Sequence, residues 1–533
     1  MVALAVALLI IVPIAVVVSQ VFQPSTETWA HLASTVLPEY LRNTIFLLSG
    51  VAVGVVTIGA LTAWLVTTYR FPGRALLEWA LILPLAMPAY VVAYAYTDAL
   101  QFAGPVQTWL RETMGWKARE YWFPDIRSVG GAQTLFSLTL YPYVYLLARA
   151  MFLEQTLSTL EASRLLGASR WGSFFRIALP LARPGIVAGA ALAMMETLAD
   201  FGTVSYLAVP TFSTGIYRAW FSLGDTRAAA QLSVVMLLFV AAILALEYLL
   251  RGGGRVHNTA SQRKMASFSL HGWRAWLAST VCLIPILLGF VVPAGILLRM
   301  ALSEGDPQFG PRFISLVVNS FSLAGLAAVV AVVIAVVISY AARTTRHPLV
   351  RQATRVAGLG YALPGSVIAV GILIPVAAFD NALAAWLKEE FGLSSGLLLT
   401  GSIAALIYAY TVRFLGVALQ TVNAGLGKIT TSMDEAARSL GSNPLRTLWQ
   451  VHLPMLRGSL FTAALIVFVD VMKELPATFV MRPFNFDTLA VQAYNLAADE
   501  RLTEAATASL VIVLVGLLPV VFLSRAITKT RRD

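Results

Sequence analysis

The sequence predicts an all-α integral membrane protein with about twelve transmembrane helices, arranged as two parallel six-helix repeats. Of its 533 residues, 58% are hydrophobic and only 12% are charged, and the mean hydropathy is +0.77. Soluble domains carry about 25% charged residues, so this composition excludes an ordinary soluble fold. Two further observations support this prediction: the chain contains a series of long apolar segments, and its second half repeats features of its first half.

Each apolar segment approaches the roughly 20 residues that a helix needs to cross a bilayer. The predicted spans are residues 2–19, 44–66, 75–98, 131–153, 184–206, 230–250, 275–298, 320–341, 356–379, 394–418, 459–480 and 505–525. The first segment has some features of a signal peptide, but no small-residue cleavage pattern follows Val21. We therefore expect an uncleaved first helix. Its missing basic flank is also consistent with a natural start further upstream.

The net charge of +11 follows a topological pattern. With this order of spans, Lys and Arg are concentrated in the loops on one side, and that excess places both termini in the cytoplasm. The basic surplus therefore needs no nucleic-acid partner, and membrane lipid is the expected surrounding. Cys282 is the single cysteine, which excludes a disulfide or a thiolate metal site within the chain.

The two halves of the chain are related by duplication. Five residues recur 276 positions later without a gap: Asn43, Thr68, Arg70, Pro72 and Pro88 correspond to Asn319, Thr344, Arg346, Pro348 and Pro364. The predicted organisation is a first half at 1–250, a basic cytoplasmic linker at 251–274 and a second half at 275–533. Six helices per half keep both halves in the same orientation, which favours a substrate path between them.

A polar loop before the fifth span of each half is repeated at an offset of 274 residues. It covers about residues 158–180 in the first half and 432–454 in the second. The distribution of Lys and Arg predicts that both copies of this loop lie in the cytoplasm. A duplicated cytoplasmic loop predicts a docking surface for a partner that has two similar sites.

Each copy of the loop begins with a helix-start signal. Ser158 with Glu161, and Ser432 with Glu435, fit the Ser-x-x-Glu capping box. Each pair therefore predicts the start of a short helix of about two turns.

Each short helix is followed by a signal for a stop and a new start. Gly167 and Gly441 are expected at left-handed positions that end the first helix. A second helix is predicted to open at Ser169 in one copy and at Asn443 in the other, where Pro444 suits the first turn. We expect this helix to end at the following Leu-Pro pair, because proline breaks it at the membrane entry.

This loop resembles the signature of the permease subunits of ABC importers, which reads Glu-Ala-Ala, three residues, Gly, nine residues and Ile-x-Leu-Pro. The matching positions are Glu161, Ala162, Ser163, Gly167, Ile177, Leu179 and Pro180 in the first copy, and Glu435, Ala436, Ala437, Gly441, Val451, Leu453 and Pro454 in the second. The departures are Ser163 for Ala and Val451 for Ile. The resemblance implies the type I ABC importer permease fold for essentially the whole chain.

In that family the short helix is the coupling helix, which sits in a cleft of a cytoplasmic ATPase. The resemblance assigns ATPase coupling to Glu161, Ala162, Arg164, Gly167, Glu435, Ala436, Arg438 and Gly441. Two motifs on one chain imply a partner ATPase dimer that carries the ATP and Mg, with no cofactor bound by this chain. Residues 425–428 read Gly-Leu-Gly-Lys but are not a phosphate loop, since Val422 and Ile429 replace its essential Gly and Ser/Thr. No catalytic residue is predicted.

Within that family the chain is most similar to the fused ferric-iron permeases. The segments that carry this likeness are 199–203, 214–220, 473–478 and 482–488. The likeness implies import of Fe3+ from a periplasmic or extracellular binding protein across a bacterial inner membrane. Thiamine or another small solute stays open as the cargo, because fused thiamine permeases share the architecture. The alternative from another class is an ATP-independent twelve-helix secondary transporter.

Two pairs of acidic residues fall near the ends of the fifth and eleventh spans. Glu196 and Asp200 are one helical turn apart, and Asp470 and Glu474 occupy the same positions 274 residues later, beside Lys473. Intramembrane carboxylates cost a few kcal/mol each unless they are paired or face a cavity. They either hold helices together through ion pairs or line the translocation path, where hard oxygens suit a ferric ion. The sequence leaves both interpretations open.

Loop aromatic residues and histidines are weaker candidates. The outer loops 99–130 and 481–504 either contact a binding protein or are ordinary solvated surface. The candidate contact residues are Trp109, Trp116, Trp122, Asp125, Arg482, Asp487, Asp499 and Glu500.

Six tyrosines are expected to anchor helix ends at the membrane interface, and the alternative is that they line the translocation path. They are Tyr90, Tyr94, Tyr96, Tyr141, Tyr143 and Tyr145. The five histidines show no metal-ligand spacing and are expected in solvated loops.

Overall fold

The computed structural model describes residues 2–23, 27–117, 120–154, 170–251, 268–303, 310–345, 347–394 and 396–529, and these are overwhelmingly α-helical. The helices before the linker are α1 (Val2–Ser19), α2 (Glu27–Thr35), α3 (Leu37–Thr68), α4 (Arg74–Ala80), α5 (Ala89–Leu100), α6 (Pro105–Met114), α7 (Val129–Glu154), α8 (Arg170–Ser173), α9 (Leu179–Ala199), α10 (Gly202–Tyr206), α11 (Phe212–Tyr217) and α12 (Thr226–Arg251).

The helices after the linker are α13 (Trp273–Ile286), α14 (Val292–Ser303), α15 (Pro311–Thr344), α16 (Pro348–Ala357), α17 (Gly365–Phe391), α18 (Ile403–Leu426), α19 (Thr431–Ser439), α20 (Pro444–Thr447), α21 (Leu453–Met472), α22 (Pro476–Met481), α23 (Leu489–Ala498) and α24 (Leu502–Lys529). Short 3-10 helices lie at Gln20–Phe22, Leu83–Ala86 and Leu359–Ala362. The strands β1 (Tyr69–Arg70) and β2 (Phe268–Ser269) pair in parallel.

The predicted number of spans is confirmed within the described ranges. Eleven helices are long and apolar enough to cross a membrane, and a twelfth candidate is the pair Arg74–Ala86 and Ala89–Met114. That pair is bent by 90°, so the third predicted span is not one straight helix. The bend falls at Met87, whose extended backbone (φ −93°, ψ 97°) is what the following Pro88 requires.

Two spans begin earlier than the sequence predicted, one by ten residues and the other by fifteen. They run over Phe174–Ala199 and Pro444–Met472, so the prediction that the Leu-Pro pair ends a helix is wrong. In both copies a π-helical turn precedes that pair, at Phe174–Ala178 and at Leu448–His452. The wider turn gives the proline ring room beside the carbonyl four residues back, and the helix continues through it.

The described chain forms two compact units, and each takes segments from both halves of the sequence. Unit 1 comprises Met1–Thr35, Phe212–Leu237 and Pro307–Asn495. Its core is the packing of α15, α18 and α21, and α1 packs against α15, α16 and α17. The Tyr408 hydroxyl donates a hydrogen bond to the carbonyl of Leu9, and Ile10 is buried. The first helix is thus an integral part of unit 1.

Unit 2 comprises Val36–Thr211, Leu238–Asp306 and Leu496–Asp533. Its core is the packing of α3, α7 and α9, and α14 packs against α24. The Trp64 ring lies 5.4 Å from the ring of Phe152 and 5.2 Å from that of Phe174. The three core helices of this unit occupy the same places in the repeat as those of unit 1.

The two compact units are therefore different from the two sequence halves. A constant sequence separation between matching residues indicates that one half of the chain is a duplicate of the other. A compact unit, in contrast, is defined by the helices that pack against each other. The first helix of the chain buries residues in unit 1, together with helices of the second half. The predicted boundaries at 250 and 275 describe the repeat and its linker only.

The tyrosines expected as interfacial anchors lie mostly in the helical core. Tyr94, Tyr141 and Tyr145 are almost fully buried. The Tyr145 hydroxyl donates to the carbonyl of Glu78 at 2.6 Å, and the Tyr96 hydroxyl donates to that of Leu288, also at 2.6 Å. For Tyr145 and Tyr96, the backbone acceptor compensates for burying the hydroxyl in such a core.

Candidate functional site

The second copy of the duplicated loop folds as a short helix, α19, followed by the start of the long span Pro444–Met472, and α19 begins earlier than predicted. Helix α19 starts at Thr431, and its N-cap is Thr430, which makes no side-chain capping bond. The capping-box prediction for Ser432 and Glu435 is therefore wrong. The Arg343 guanidinium binds the carbonyl of Ile429 at 2.8 Å and that of Thr430 at 3.4 Å, which fixes the chain just before the helix.

The predicted stop and restart are confirmed. Gly441 has a φ of +79°, the left-handed conformation expected at the end of α19. Its N–H donates to the carbonyl of Arg438 at 2.9 Å, and the N–H of Ser442 donates to Ala437 at 3.0 Å. Helix α20 then opens with the Asn443 side chain accepting from the N–H of Arg446 at 2.8 Å. These caps satisfy backbone groups that the two helix ends would leave unpaired.

Most of the surface of α19 and α20 is open. Glu435, Ala436 and Arg438 are exposed, and Ala437 is the buried residue of α19. Three large apolar side chains of the same loop are also exposed: Leu440 at 88%, Leu445 at 66% and Trp449 at 65%. Exposed apolar and charged groups on a compact two-helix element have the character of a protein-docking surface.

One carboxylate ties this loop to the membrane-spanning helices. Asp434 Oδ2 accepts from Arg343 Nε at 2.9 Å, and its Oδ1 lies 2.6 Å from Nε2 of His452. Burial acts to raise the pKa of the Asp434 carboxyl, but the hydrogen bonds from Arg343 and His452 outweigh it and hold the pKa below its ordinary value. Asp434 is therefore an ionised junction at neutral pH.

His452 corrects an expectation from the sequence. It was expected in a solvated loop, yet its side chain is fully buried in the π-helical turn before α21. The only sequence signal was its position directly before the Leu-Pro pair. The partner Asp434 could be recognised only once the two helices were folded together.

The first copy of the loop lies largely outside the described residues. This applies to four of the predicted coupling residues: Glu161, Ala162, Arg164 and Gly167. Their assignment stays a prediction. The part that is described, from α8 through Phe174–Ala178 into α9, repeats the π-helical turn of the second copy.

Two of the predicted path carboxylates hold the first turn of a short helix. Asp200 accepts from the N–H and hydroxyl of Thr203, at 2.8 and 3.0 Å, at the start of α10. Glu474 accepts from the N–H of Ala477 and the N–H of Thr478, both at 2.9 Å, at the start of α22. The same device thus occurs at equivalent places of the two halves. It gives both carboxylates a structural role.

Glu474 has in addition a buried cationic partner. Arg413 Nη1 lies 2.9 Å from Glu474 Oε1, and the two side chains are 10% and 2% exposed. Arg413 lies within α18, yet it was not among the charged residues predicted from the sequence for the spans. The same holds for Glu78 and Arg149, which form an ion pair at 2.5 Å in unit 2.

The remaining predicted path residues are closer to the surface. Lys473 Nζ lies 2.9 Å from Asp470 Oδ1, so it neutralises one carboxylate of the pair as the sequence suggested. Glu196 is half-buried on α9. Whether these five residues line the path stays a prediction. Within the described ranges, no three His, Cys, Asp or Glu side chains lie close enough to hold a metal ion.

The loops predicted to lie outside the membrane expose the aromatic residues that are candidates for contact with a binding protein. Trp109, Trp116 and Trp122 are all exposed, Trp122 at 86%. Asp125 caps its own turn by accepting from the N–H of Arg127 at 2.8 Å. Elsewhere on these loops Arg482 and Asp487 form an ion pair, while Asp499 and Glu500 are exposed.

Comparison of the sequence with known proteins identifies its family. The family model described as binding-protein-dependent transport system inner membrane component matches twice, over residues 55–253 and 335–533. The chain is 26% identical over 495 residues to the Fe(3+)-transport system permease protein FbpB 2 of Haemophilus influenzae, which covers 92% of this chain and 90% of that protein. It is 25% identical over 438 residues to the ferric transport system permease protein FbpB of Actinobacillus pleuropneumoniae, which covers 78% of this chain and 60% of that protein.

A third relative corresponds to a shorter part of the chain. The molybdenum transport system permease protein ModB of Escherichia coli is 31% identical over 200 residues, which is 36% of this chain and 84% of that protein. Relatives that align with most of this chain and a relative that aligns with about a third of it are thus both similar to this sequence. With two family matches that together span most of its length, the chain belongs to the binding-protein-dependent transport system inner membrane components.

Proposed function

We propose that this chain is the membrane-spanning permease of an ATP-driven ABC importer that moves ferric iron into the cytoplasm. The observation that carries the proposal is the pair of family matches, one in each half of the chain. Ferric iron is the cargo proposed, because two relatives named for Fe(3+) or ferric transport align with 92% and 78% of the chain. A separate binding protein, periplasmic or extracellular, would deliver the iron.

Coupling to ATP hydrolysis is assigned to the duplicated loops. Helix α19 exposes Glu435, Ala436 and Arg438 next to the apolar side chains of Leu440 and Leu445. A cytoplasmic ATPase dimer would bind one loop from each half, and ATP and Mg would be held by that partner. Hydrolysis would move the two loops together and open the path alternately to the two sides. The permease itself would carry out no chemistry.

The proposed orientation follows from the charge distribution. Lys and Arg are in excess on the side of the duplicated loops and the linker, which supports a cytoplasmic location for both termini and the loops. The chain would then be a multi-pass protein of the bacterial inner membrane. The loops that expose Trp109, Trp116 and Trp122 would face outward, where a binding protein can reach them.

The uptake test described below can also identify a cargo other than ferric iron. Thiamine or another small solute could be carried by the same architecture, and one relative is named for molybdenum transport. An ATP-independent secondary transporter is disfavoured, because the family is defined by dependence on a binding protein. No residue is assigned as an iron ligand.

Uptake of radiolabelled ferric iron tests the proposal. Cells that lack this protein are complemented with wild type, with the double variant Gly167→Pro and Gly441→Pro, or with Gly458→Ala, at matched membrane levels. Proline cannot adopt the φ of +79° found at Gly441, so the second loop loses its turn. A Cβ at Gly458 meets no atom within 4 Å, which makes that variant a matched glycine control.

We expect wild type and the Gly458→Ala control to restore uptake and the double proline variant to abolish it. Co-purification of an ATPase should be lost in the proline variant in parallel. Equal uptake by all three proteins would reject ATPase coupling through the loops. Failure of wild type to restore iron uptake would reject ferric iron, and the same cells would then be assayed with thiamine and molybdate.

A further inference from the structure

Helix α19 is too short and too exposed to be held in place by burial. It has nine residues, and Ala437 is its buried side chain. Isolated helices of this length are unstable in water, so their position depends on tertiary contacts. The contacts that fix α19 are therefore the ones through which any movement of it must pass.

Arg343, at the end of α15, joins three elements at once. Its Nε donates to Asp434 on α19 at 2.9 Å, and its Nη1 donates to the carbonyl of Leu426 at the end of α18 at 2.8 Å. Its Nη2 donates to the carbonyl of Ile429 in the connection between them at 2.8 Å. The planar guanidinium fork binds all of these acceptors, and a lysine could not reproduce this arrangement.

His452 connects the same carboxylate to α21. Since a carboxylate only accepts hydrogen bonds, Nε2 of His452 is the donor to Asp434 at 2.6 Å. The ring of Tyr340, one turn before Arg343 on α15, packs edge-on against the imidazole at 5.2 Å. The Tyr340 hydroxyl donates to the carbonyl of Pro444 at 2.6 Å, which fixes the start of α20.

The first half of the chain has different residue types at these four positions. By the repeat offsets, Arg343 and Tyr340 correspond to Thr67 and Trp64, and Asp434 and His452 correspond to Leu160 and Ala178. The Thr67 hydroxyl donates to Ala63 of its own helix at 2.8 Å. Trp64 instead packs against Phe152 and Phe174. None of the four can form an ion pair, so the ionic cluster belongs to the second half.

We propose that Asp434, Arg343 and His452 are positioning residues that carry the displacement of the second coupling helix, α19, into α15 and α21. This inference rests on the proposed ATPase coupling. The two coupling loops would then transmit movement by different means. The second uses a hydrogen-bonded ionic junction, and the corresponding positions of the first hold no ionisable residue.

The functional test compares iron uptake with ATP hydrolysis in proteoliposomes that contain the tagged chain, its co-purified ATPase and 55Fe-loaded binding protein. Asp434→Asn should lower iron uptake per ATP hydrolysed by about tenfold, the effect of losing one charge-assisted hydrogen bond. His452→Gln retains an N–H donor at the position of Nε2 and should stay close to wild type. His452→Ala, which introduces the residue type of the first half, should behave like Asp434→Asn.

Two comparisons separate transmission from a general structural defect. The amount of co-purified ATPase should be equal in all variants, because the exposed face of α19 is unchanged. Glu247→Gln removes a carboxylate from the ion pair with Arg251 and should leave the uptake ratio unchanged. If Asp434→Asn keeps the wild-type ratio, or if uptake and hydrolysis fall together, the inference is overturned.

A second measurement needs neither the cargo nor the ATPase. Spin labels are placed at Ser439→Cys on α19 and Met455→Cys on α21, in a Cys282→Ser background, in the detergent-solubilised chain. The wild-type cluster should give one narrow distance distribution, and Asp434→Asn should broaden it. An unchanged distribution would reject the junction, whereas broadening without iron uptake by wild type would reject the proposed cargo alone.

Discussion

The buried ion pair between Arg413 and Glu474 offers the sharpest test of whether the intramembrane charges hold the fold together. Its atoms lie 2.9 Å apart, and both side chains are nearly inaccessible. Removing one partner of such a pair leaves a buried charge that has lost its main compensation. The perturbations are Arg413→Met and Glu474→Gln, alone and combined.

The magnitude follows from the contacts. Breaking a buried pair costs about 3–5 kcal/mol. In Arg413→Met the carboxylate keeps its bonds from Ala477 and Thr478, which argues for the lower end, about 3 kcal/mol. The double variant replaces two charges by a neutral amide and an apolar chain, so it should lose only about 1–2 kcal/mol. The double variant should therefore lose less unfolding free energy than the two single variants together.

The assay is unfolding of the purified chain in mixed micelles, with sodium dodecyl sulfate as denaturant. Tryptophan fluorescence follows the transition, and apparent unfolding free energies are compared between variants in a double-mutant cycle. Iron uptake per folded molecule is measured on the same four proteins. For a purely structural pair, uptake per folded molecule should stay the same while stability changes.

Two results would refute this reasoning. Single variants that lose less than about 1 kcal/mol would mean that the pair contributes little, as exposed pairs do. A Glu474→Gln protein with wild-type stability but abolished uptake would instead place the carboxylate on the translocation path.

Three further predictions concern Gly365, Gly441 and Asp434. Gly365→Ala should destabilise the chain by about 1–3 kcal/mol, because its Cβ would lie 2.4 Å from Nη1 of Arg413. This cost should be smaller in the Arg413→Met background. The same unfolding assay measures both values. In Gly441→Ala, the alanine must adopt a φ of +79° at a cost of about 1–2 kcal/mol. The amide hydrogens of residues 431–440 should therefore exchange with solvent about 5–30 times faster, as followed by mass spectrometry. An unchanged exchange rate would contradict the assigned cap. Because its pKa is lowered in the folded state, Asp434 contributes stability that is present above about pH 4 and lost as the pH falls through the lowered pKa. The stability difference between wild type and Asp434→Asn should therefore be constant from pH 7 to about pH 4 and vanish at lower pH; a difference that disappears near neutrality would be inconsistent with the ionised junction.

The duplicated loop shows how far local signals reach. Gly441 and Asn443 were assigned correctly, because a left-handed turn and an N-cap depend on residues within a few positions. The start of α19 was misplaced because it depends on Arg343, which is distant in sequence and binds the preceding carbonyls. The Leu-Pro pair was misinterpreted because a π-helical turn can absorb a proline.

The buried charges show the same limit. The sequence located Asp200 and Glu474 at equivalent positions, and the structure uses both to hold the first turn of a short helix. Arg413, the partner of Glu474, lies 61 residues away on another helix. The pairing of His452 with Asp434 has the same origin. A one-dimensional pattern cannot reveal such pairs, because it does not say which helix faces meet.

The sequence by itself determined the class of the protein, the number of spans, the duplication and the loop that recurs in both halves. These properties depend on composition, on segment length against bilayer thickness and on short motifs, all of which are local along the chain. Only the tertiary structure decided that the compact units differ from the sequence halves, that the third span is bent by 90°, and that one carboxylate joins α19 to α15 and α21. Those features arise from packing and hydrogen bonding between residues far apart in sequence, where burial makes each polar group require a specific partner.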